Sequence, residues 1–165
     1  MKTVYLFRHA KSSWDDPQLS DFERPLNERG KRDAPRMGQV LATKNVNPAL
    51  WVSSPARRAW STAKKVAAAL SVQTTAIAKV AALYHAEPEA LLQTIRNQPD
   101  EADSVIIFGH NPGLTDFATL LCDYAFGNIP TSGVACMRFA AETWAEVDYH
   151  QGELVFFEYP KKLLE

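Results

Sequence analysis

The residues Val4-Tyr5-Leu6-Phe7 constrain this chain more than any other stretch. Four apolar side chains in succession fit a β-strand covered on both faces, the kind found in the middle of a sheet flanked by helices. The run stops on Arg8 and His9, where such a strand would surface. In open α/β sheets the ligand lies beyond the carboxyl ends of the strands. Arginine matches phosphate oxygens with a fork of donors, and neutral histidine is a nucleophile near physiological pH. A strand emptying into Arg8-His9 therefore points to phosphoryl chemistry. Taken alone, the dipeptide fits equally well a strand-end charge beside a satisfied histidine.

The pattern then alternates. A polar loop from Ser13 to Pro25 precedes Asn27, a candidate cap for a first helical turn through Gly30. Asp33 is a candidate second cap, with Pro35 in the next first turn, where its missing N–H costs least. A helix runs from there to about Thr43. Leu50-Trp51-Val52 reads as a second strand ending at Ser53-Ser54-Pro55. Residues 56–70 are helical, with Trp60, Ala63, Ala67 and Leu70 on one face. Thr74 to Ile77 reads as a weak third strand, and Pro88 opens a helix closed near Asn97. Val105-Ile106-Ile107-Phe108 repeats the fully buried pattern, followed by Gly109-His110-Asn111-Pro112-Gly113 and a helix to Cys122. Residues 133–140 and 153–159 read as two strands paired as a hairpin at one side of the sheet. Strands alternating with helices predict an α/β protein with a mainly parallel sheet.

At 165 residues the chain suits one domain, 1–165, burying roughly two-thirds of the surface its unfolded form exposes. A formal net charge of -1 gives no general attraction for nucleic acid or an acidic membrane. Any anion site must then be a local concentration of cations. Such a concentration is visible at three strand ends: Arg8-His9, Ser54-Pro55-Ala56-Arg57-Arg58 and Gly109-His110-Asn111. The second also offers a helix N-terminus with free N–H groups. Cys122 and Cys136 lack metal-ligand spacing and read as reduced thiols. No apolar run approaches membrane-spanning length and no signal peptide precedes the first strand, so the expected compartment is the cytoplasm.

Here a resemblance becomes specific. Arg8-His9-Ala10-Lys11-Ser12 resembles the Arg-His signature of the histidine phosphatase superfamily, whose fold is phosphoglycerate-mutase-like. Arg24-Pro25-Leu26-Asn27-Glu28-Arg29-Gly30 is similar to the family's Leu-Thr-x-x-Gly helix start. Ser54-Pro55-Ala56-Arg57-Arg58-Ala59-Trp60-Ser61-Thr62 is similar to Ser-Pro-x-x-Arg-Ala-x-Gln-Thr, which places the second family arginine on Arg58. Gly109-His110-Asn111-Pro112-Gly113-Leu114 resembles the second-histidine motif of the small phosphohistidine phosphatases of SixA type. The resemblance implies a three-layer α/β/α sandwich with antiparallel edge strands. It also implies that His9 is the nucleophile, forming a phosphohistidine intermediate that water hydrolyses. Arg8 and Arg58 would hold the phosphoryl oxygens, and His110 would donate a further hydrogen bond to them. Fixed cations at those oxygens lower the barrier to transfer. The His9 tautomer would need an acceptor for its other nitrogen, such as a backbone carbonyl. Lys11, Ser12 and Asn111 are further candidates for phosphate contacts. Lys11 reads equally as a solvated loop lysine, and Asn111 equally as a turn-former.

Two departures from the family pattern bear on the substrate. Larger members carry a glutamate acid shortly after the third strand, and Ala82-Leu83-Tyr84-His85-Ala86-Glu87 has none at that place. His85 or Glu87 could substitute, although both also suit the surface. A missing acid matters most for an alkoxide leaving group and less for phosphohistidine. The chain also lacks the insertion that covers the pocket in larger relatives. Both departures favour a phosphorylated protein, carrying phosphohistidine, over a small phosphorylated metabolite. Phosphate would be the product, with no cofactor and no metal, since arginines would repel a cation. A small-molecule phosphomonoesterase and a non-catalytic phospho-ligand module are the alternatives.

Overall fold

The computed structural model describes residues 1–164. One six-stranded sheet forms the middle layer. Its strands are β1 (Lys2–Arg8), β2 (Leu50–Ser53), β3 (Ile77–Lys79), β4 (Ser104–Gly109), β5 (Val134–Phe139) and β6 (Glu153–Glu158), in the order β3-β2-β4-β1-β5-β6. The pairings β2–β3, β2–β4 and β1–β4 are parallel. The pairings β1–β5 and β5–β6 are antiparallel, so the expected hairpin occupies one edge. The two runs read as fully buried strands, β1 and β4, lie side by side at the centre. Their register sets Arg8 beside Gly109.

Alternation along β4 explains why its run is apolar throughout. Val105 and Ile107 enter one core with Leu91, Leu92 and Ile95 of α3 (Pro88–Arg96) and Phe117 and Leu121 of α4 (Gly113–Cys122). Ile106 and Phe108 enter the other, with Met37 and Leu41 of α1 (Glu28–Thr43) and Ala63, Val66 and Ala67 of α2 (Arg57–Ala69). Helices thus cover both faces of the sheet, as the resemblance implied.

Two local expectations are corrected. The helix after the first loop has one start, not two: Asn27 accepts a hydrogen bond from Gly30 N at 2.9 Å, and α1 runs unbroken through Asp33 and Pro35. Asp33 is buried at 2 % exposure and pairs with Arg29 and Arg32 instead of capping. Pro35 forfeits one hydrogen bond, and packing of Met37 and Leu41 on α2 and the sheet, with Ala34 against Ala10 and Leu26, outweighs that loss. The third strand lies later than its β-propensity suggested. Thr74–Ala76 form a single 3-10 turn, and β3 begins at Ile77, the buried residue of that stretch.

The start of α1 also fixes the loop after β1. Asn27 N donates to Lys11 O at 3.0 Å and Ser13 N to Pro25 O at 2.8 Å. Gly30 makes the approach possible, because a Cβ there would stand 2.2 Å from the Lys11 carbonyl oxygen. Backbone cannot swing aside as a side chain does. Gly30→Ala should therefore destabilise the protein by about 2 kcal/mol, the range of overpacked cores, and lower Tm by several degrees in a thermal melt. An unchanged Tm would show that the two segments separate freely.

Candidate active site

Three strand ends and two loops meet in one cleft of about 260 Å³, lined by Arg8, His9, Lys11, Ser12, Trp14, Asp21, Arg24, Arg58, His85, His110, Asn111 and Thr131. Arg8 and His9 leave β1, Arg58 comes from the first turn of α2, and His110 follows β4. All seven side chains singled out in the sequence line it. Parallel pairing of β2, β4 and β1 brings their carboxyl ends to the same edge, so positions remote in sequence converge.

His9 is held in one protonation state. Its Nδ1 lies 2.7 Å from Ala10 O, so the ring N–H donates there and the lone pair resides on Nε2. Ala10 is clamped in turn, its N–H donating to Thr62 Oγ1 at 2.9 Å, while that hydroxyl donates to Arg58 O at 2.7 Å. Thr62 thus ties α2 to the histidine loop. Burial, aided by the neighbouring Arg58 and Arg8, pushes the imidazole down to about 3. His110 lies ring to ring with His9, centroids 5.1 Å apart. Burial first, then His9 and Arg58, lowers it to about 2. Its Nε2 is 2.8 Å from Ser54 Oγ, which also accepts Ala56 N–H at 3.3 Å. With Ser54 giving its hydroxyl proton to Nε2, His110 Nδ1 carries the hydrogen.

Unpaired donors concentrate here. Four buried side-chain polar atoms lack a partner among the described residues, and three are Arg8 Nε, Arg58 Nε and His110 Nδ1. Orphan groups of this kind are costly in an ordinary core, and these three side chains all line the cleft. Arg8 is otherwise braced by Ile129 O at 2.9 Å.

Asp21 is the residue that sequence reasoning missed. Its Oδ2 accepts hydrogen bonds from Arg58 Nη2 at 3.0 Å, Tyr84 OH at 2.6 Å and His85 Nε2 at 3.0 Å. Its Oδ1 accepts from Arg24 Nε at 3.3 Å and Nη2 at 3.2 Å. Partial burial alone would raise its carboxyl, but hydrogen bonds from Tyr84, Arg58 and His85 outweigh that and hold it well below the usual range. Arg24 pairs with Asp21 and also donates to Ser12 Oγ at 2.8 Å. Trp14, 73 % exposed, lies over its guanidinium at 3.5 Å.

The second-rank candidates separate. Lys11 is exposed at the rim, and Ser12 is engaged by Arg24. Asn111 lines the cleft, yet its amide is consumed: Oδ1 accepts from Thr115 N and Oγ1, and Nδ2 donates to Asn128 and Ile129. It works as a brace for α4, the turn-forming alternative. Of the two substitutes for the absent glutamate, Glu87 stands just ahead of α3 and away from the cleft, whereas His85 lines it. Arg57 is exposed and reaches only Glu23 O at 3.4 Å.

Residues 4–105 match the model of the histidine phosphatase superfamily, branch 1. The chain belongs to the histidine phosphatase superfamily. Within it, a SixA chain from Agrobacterium tumefaciens, assigned but not established as a phosphohistidine phosphatase, is 30% identical with a TM-score of 0.81, over 96% of this chain and 98% of that one. An uncharacterized protein of Mycobacterium leprae is 31% identical over 168 residues, 93% of this chain and 99% of its own length. The protein histidine phosphatase SixA in complex with tungstate shares the fold at TM-score 0.82 and 21% identity, over 98% of this chain and 99% of that one. This histidine phosphatase is thus SixA-like along nearly its whole length.

The two depressed imidazoles make stability depend on pH. Both are neutral when folded and titrate near 6.5 when unfolded. Below that pH the unfolded chain binds protons that the folded chain refuses, so stability is full above 6.5 and falls on acidification towards 3. Urea titrations should show a loss of up to about 1.4 kcal/mol per pH unit for each imidazole. His110→Gln should roughly halve the slope between pH 6 and 4.5. An equal slope in the variant would contradict the assignment.

Proposed function

We propose that this histidine phosphatase removes phosphoryl groups from histidine side chains of a partner protein, through a covalent phosphohistidine on His9. The observation that supports this best is the hydrogen bond from His9 Nδ1 to Ala10 O, which leaves Nε2 as the only nucleophilic atom. Arg8 and Arg58 line the same cleft and bring their guanidinium groups to it. In the first step Nε2 attacks phosphorus and the bond to the leaving nitrogen breaks. In the second, water attacks phosphorus and the electron pair of the P–N bond returns to Nε2, releasing phosphate. Charge developing on the equatorial oxygens meets Arg8, Arg58 and the Nδ1–H of His110.

The substrate class rests on size. A cleft of about 260 Å³ falls below the range of sites that enclose a metabolite, ~300–1,000 Å³. It admits a phosphoryl group with its attached ring and leaves the rest of the substrate outside. The guanidinium groups supply the positive charge that a metal ion would bring, so the reaction as written uses no metal.

Incubation with a phosphohistidine protein followed by rapid quench should trap an adduct that is acid-labile and base-stable. His9→Ala should abolish it, Arg58→Ala should cut kcat/KM at least about 100-fold, and a chelator should leave turnover unchanged. An adduct that persists in His9→Ala ends the mechanism. Faster turnover of phosphorylated metabolites than of the phosphohistidine protein transfers the assignment to small phosphomonoesters.

A further inference from the structure

The proposed reaction leaves one part of the cleft unused. Three imidazoles stand in a row, with centroids of His9 and His110 5.1 Å apart and those of His110 and His85 also 5.1 Å apart. His85 sits on the connection between β3 and α3, where its backbone takes a left-handed conformation with φ 51°. That conformation brings the ring over the cleft, against Tyr84 at 4.2 Å. Residues held in such unfavourable backbone regions gather at functional sites. The ring is also oriented: Nε2 is 3.0 Å from Asp21 Oδ2. An ionised carboxylate accepts only, so Nε2 carries a hydrogen and Nδ1 is the atom left to exchange protons. Nδ1 has no hydrogen-bond partner among the described residues. The groups facing His85 are Asp21 and Arg58 through their shared pair, Tyr84 and His110.

We propose that the Asp21–His85 pair is the proton carrier of both half-reactions, with His85 Nδ1 the catalytic atom and Asp21 a positioning residue. The inference rests on the phosphoryl-transfer reading above and extends it. In the first step protonated His85 gives its Nδ1 hydrogen to the leaving atom as that atom parts from phosphorus. In the second, Nδ1 takes a proton from the water that attacks phospho-His9, and the pair returns to its starting state. One substrate and one water enter, and one protonated leaving group and one phosphate depart. No other reactant is needed.

Two aryl phosphates separate this role from a structural one. The p-nitrophenolate ion leaves without a proton, whereas phenolate leaves slowly unless protonated. The variant His85→Asn suits the test because asparagine tolerates a left-handed backbone. In rapid mixing with p-nitrophenyl phosphate it should release one equivalent of nitrophenolate at the wild-type rate, then turn over about 100-fold more slowly. With phenyl phosphate the first release should itself slow about 100-fold. Asp21→Asn should reproduce the same split between substrates. An equal slowing of first release with both substrates, or none with either, overturns the proposal while the phosphoenzyme reading stands. Failure of the wild-type protein to label His9 overturns both.

Discussion

The hydrogen bond from His9 Nδ1 to the carbonyl of its own neighbour, Ala10, is the constraint on which the rest of the site depends. Imidazole has two nitrogens of similar basicity, and a free histidine would present either. Pinning one makes the other a defined lone pair. The bond holds its geometry only if Ala10 cannot rotate, and that is why Thr62 matters. Its hydroxyl accepts Ala10 N–H and donates to Arg58 O, so one side chain of α2 fixes both the histidine loop and the turn that carries the arginine. Ser132 N completes the clamp from the other side by donating to Arg8 O and His9 O. The His9 ring is therefore positioned by backbone, not by rotamer preference.

The electrostatics follow from crowding cations in a nearly neutral protein. The chain carries a net charge of -1, yet Arg8, Arg24 and Arg58 line one small cleft. Left alone, that arrangement would repel itself. Asp21 answers it by accepting hydrogen bonds from Arg24 and Arg58. Arg8 and His110 keep buried N–H groups without partners. The result is a site half neutralised from within, so that an entering anion meets positioned donors and repulsion does not pull them apart beforehand. Burial keeps His9 neutral, and the same cations add to that effect.

Much of this was legible in the sequence because it depends on period and position. Apolar runs without alternation marked β1 and β4 as central, and the residues that ended them were the ones at the carboxyl edge. His9, Arg8, Arg58 and His110 were singled out by that logic and by their motifs, and the fold brings them into one cleft. Asp21 was not, because a carboxylate in a polar loop carries no period and has three acidic neighbours of equal standing, Asp15, Asp16 and Glu23. Only the docking of that loop on α2 distinguishes it. Asn111 was ambiguous for the opposite reason: an amide serves equally as ligand and as brace, and the partners that settle it, Thr115 and Ile129, lie 4 and 18 positions away. The late start of β3 shows the same limit. Thr74 and Thr75 have strand-forming side chains, but only Ile77 finds a core to bury in.

The glycine of the second-histidine motif links the fold to the cleft. Gly113 opens α4 three residues after His110, and a Cβ placed on it would stand only 1.8 Å from Ala86 O. The helix start that follows His110 is thus in direct backbone contact with the loop that carries His85. Any side chain at 113 would lift that loop and carry His85 away from Asp21 and from the ring of His110. Gly30 does the equivalent at the other wall, where α1 presses on the Lys11 backbone next to His9 and Ala10. In both places a missing methyl group lets a helix start touch a functional loop with no side chain between them. Rigid elements of the core therefore reach the walls of the cleft directly, and the short loops between strand and helix inherit the precision of the sheet.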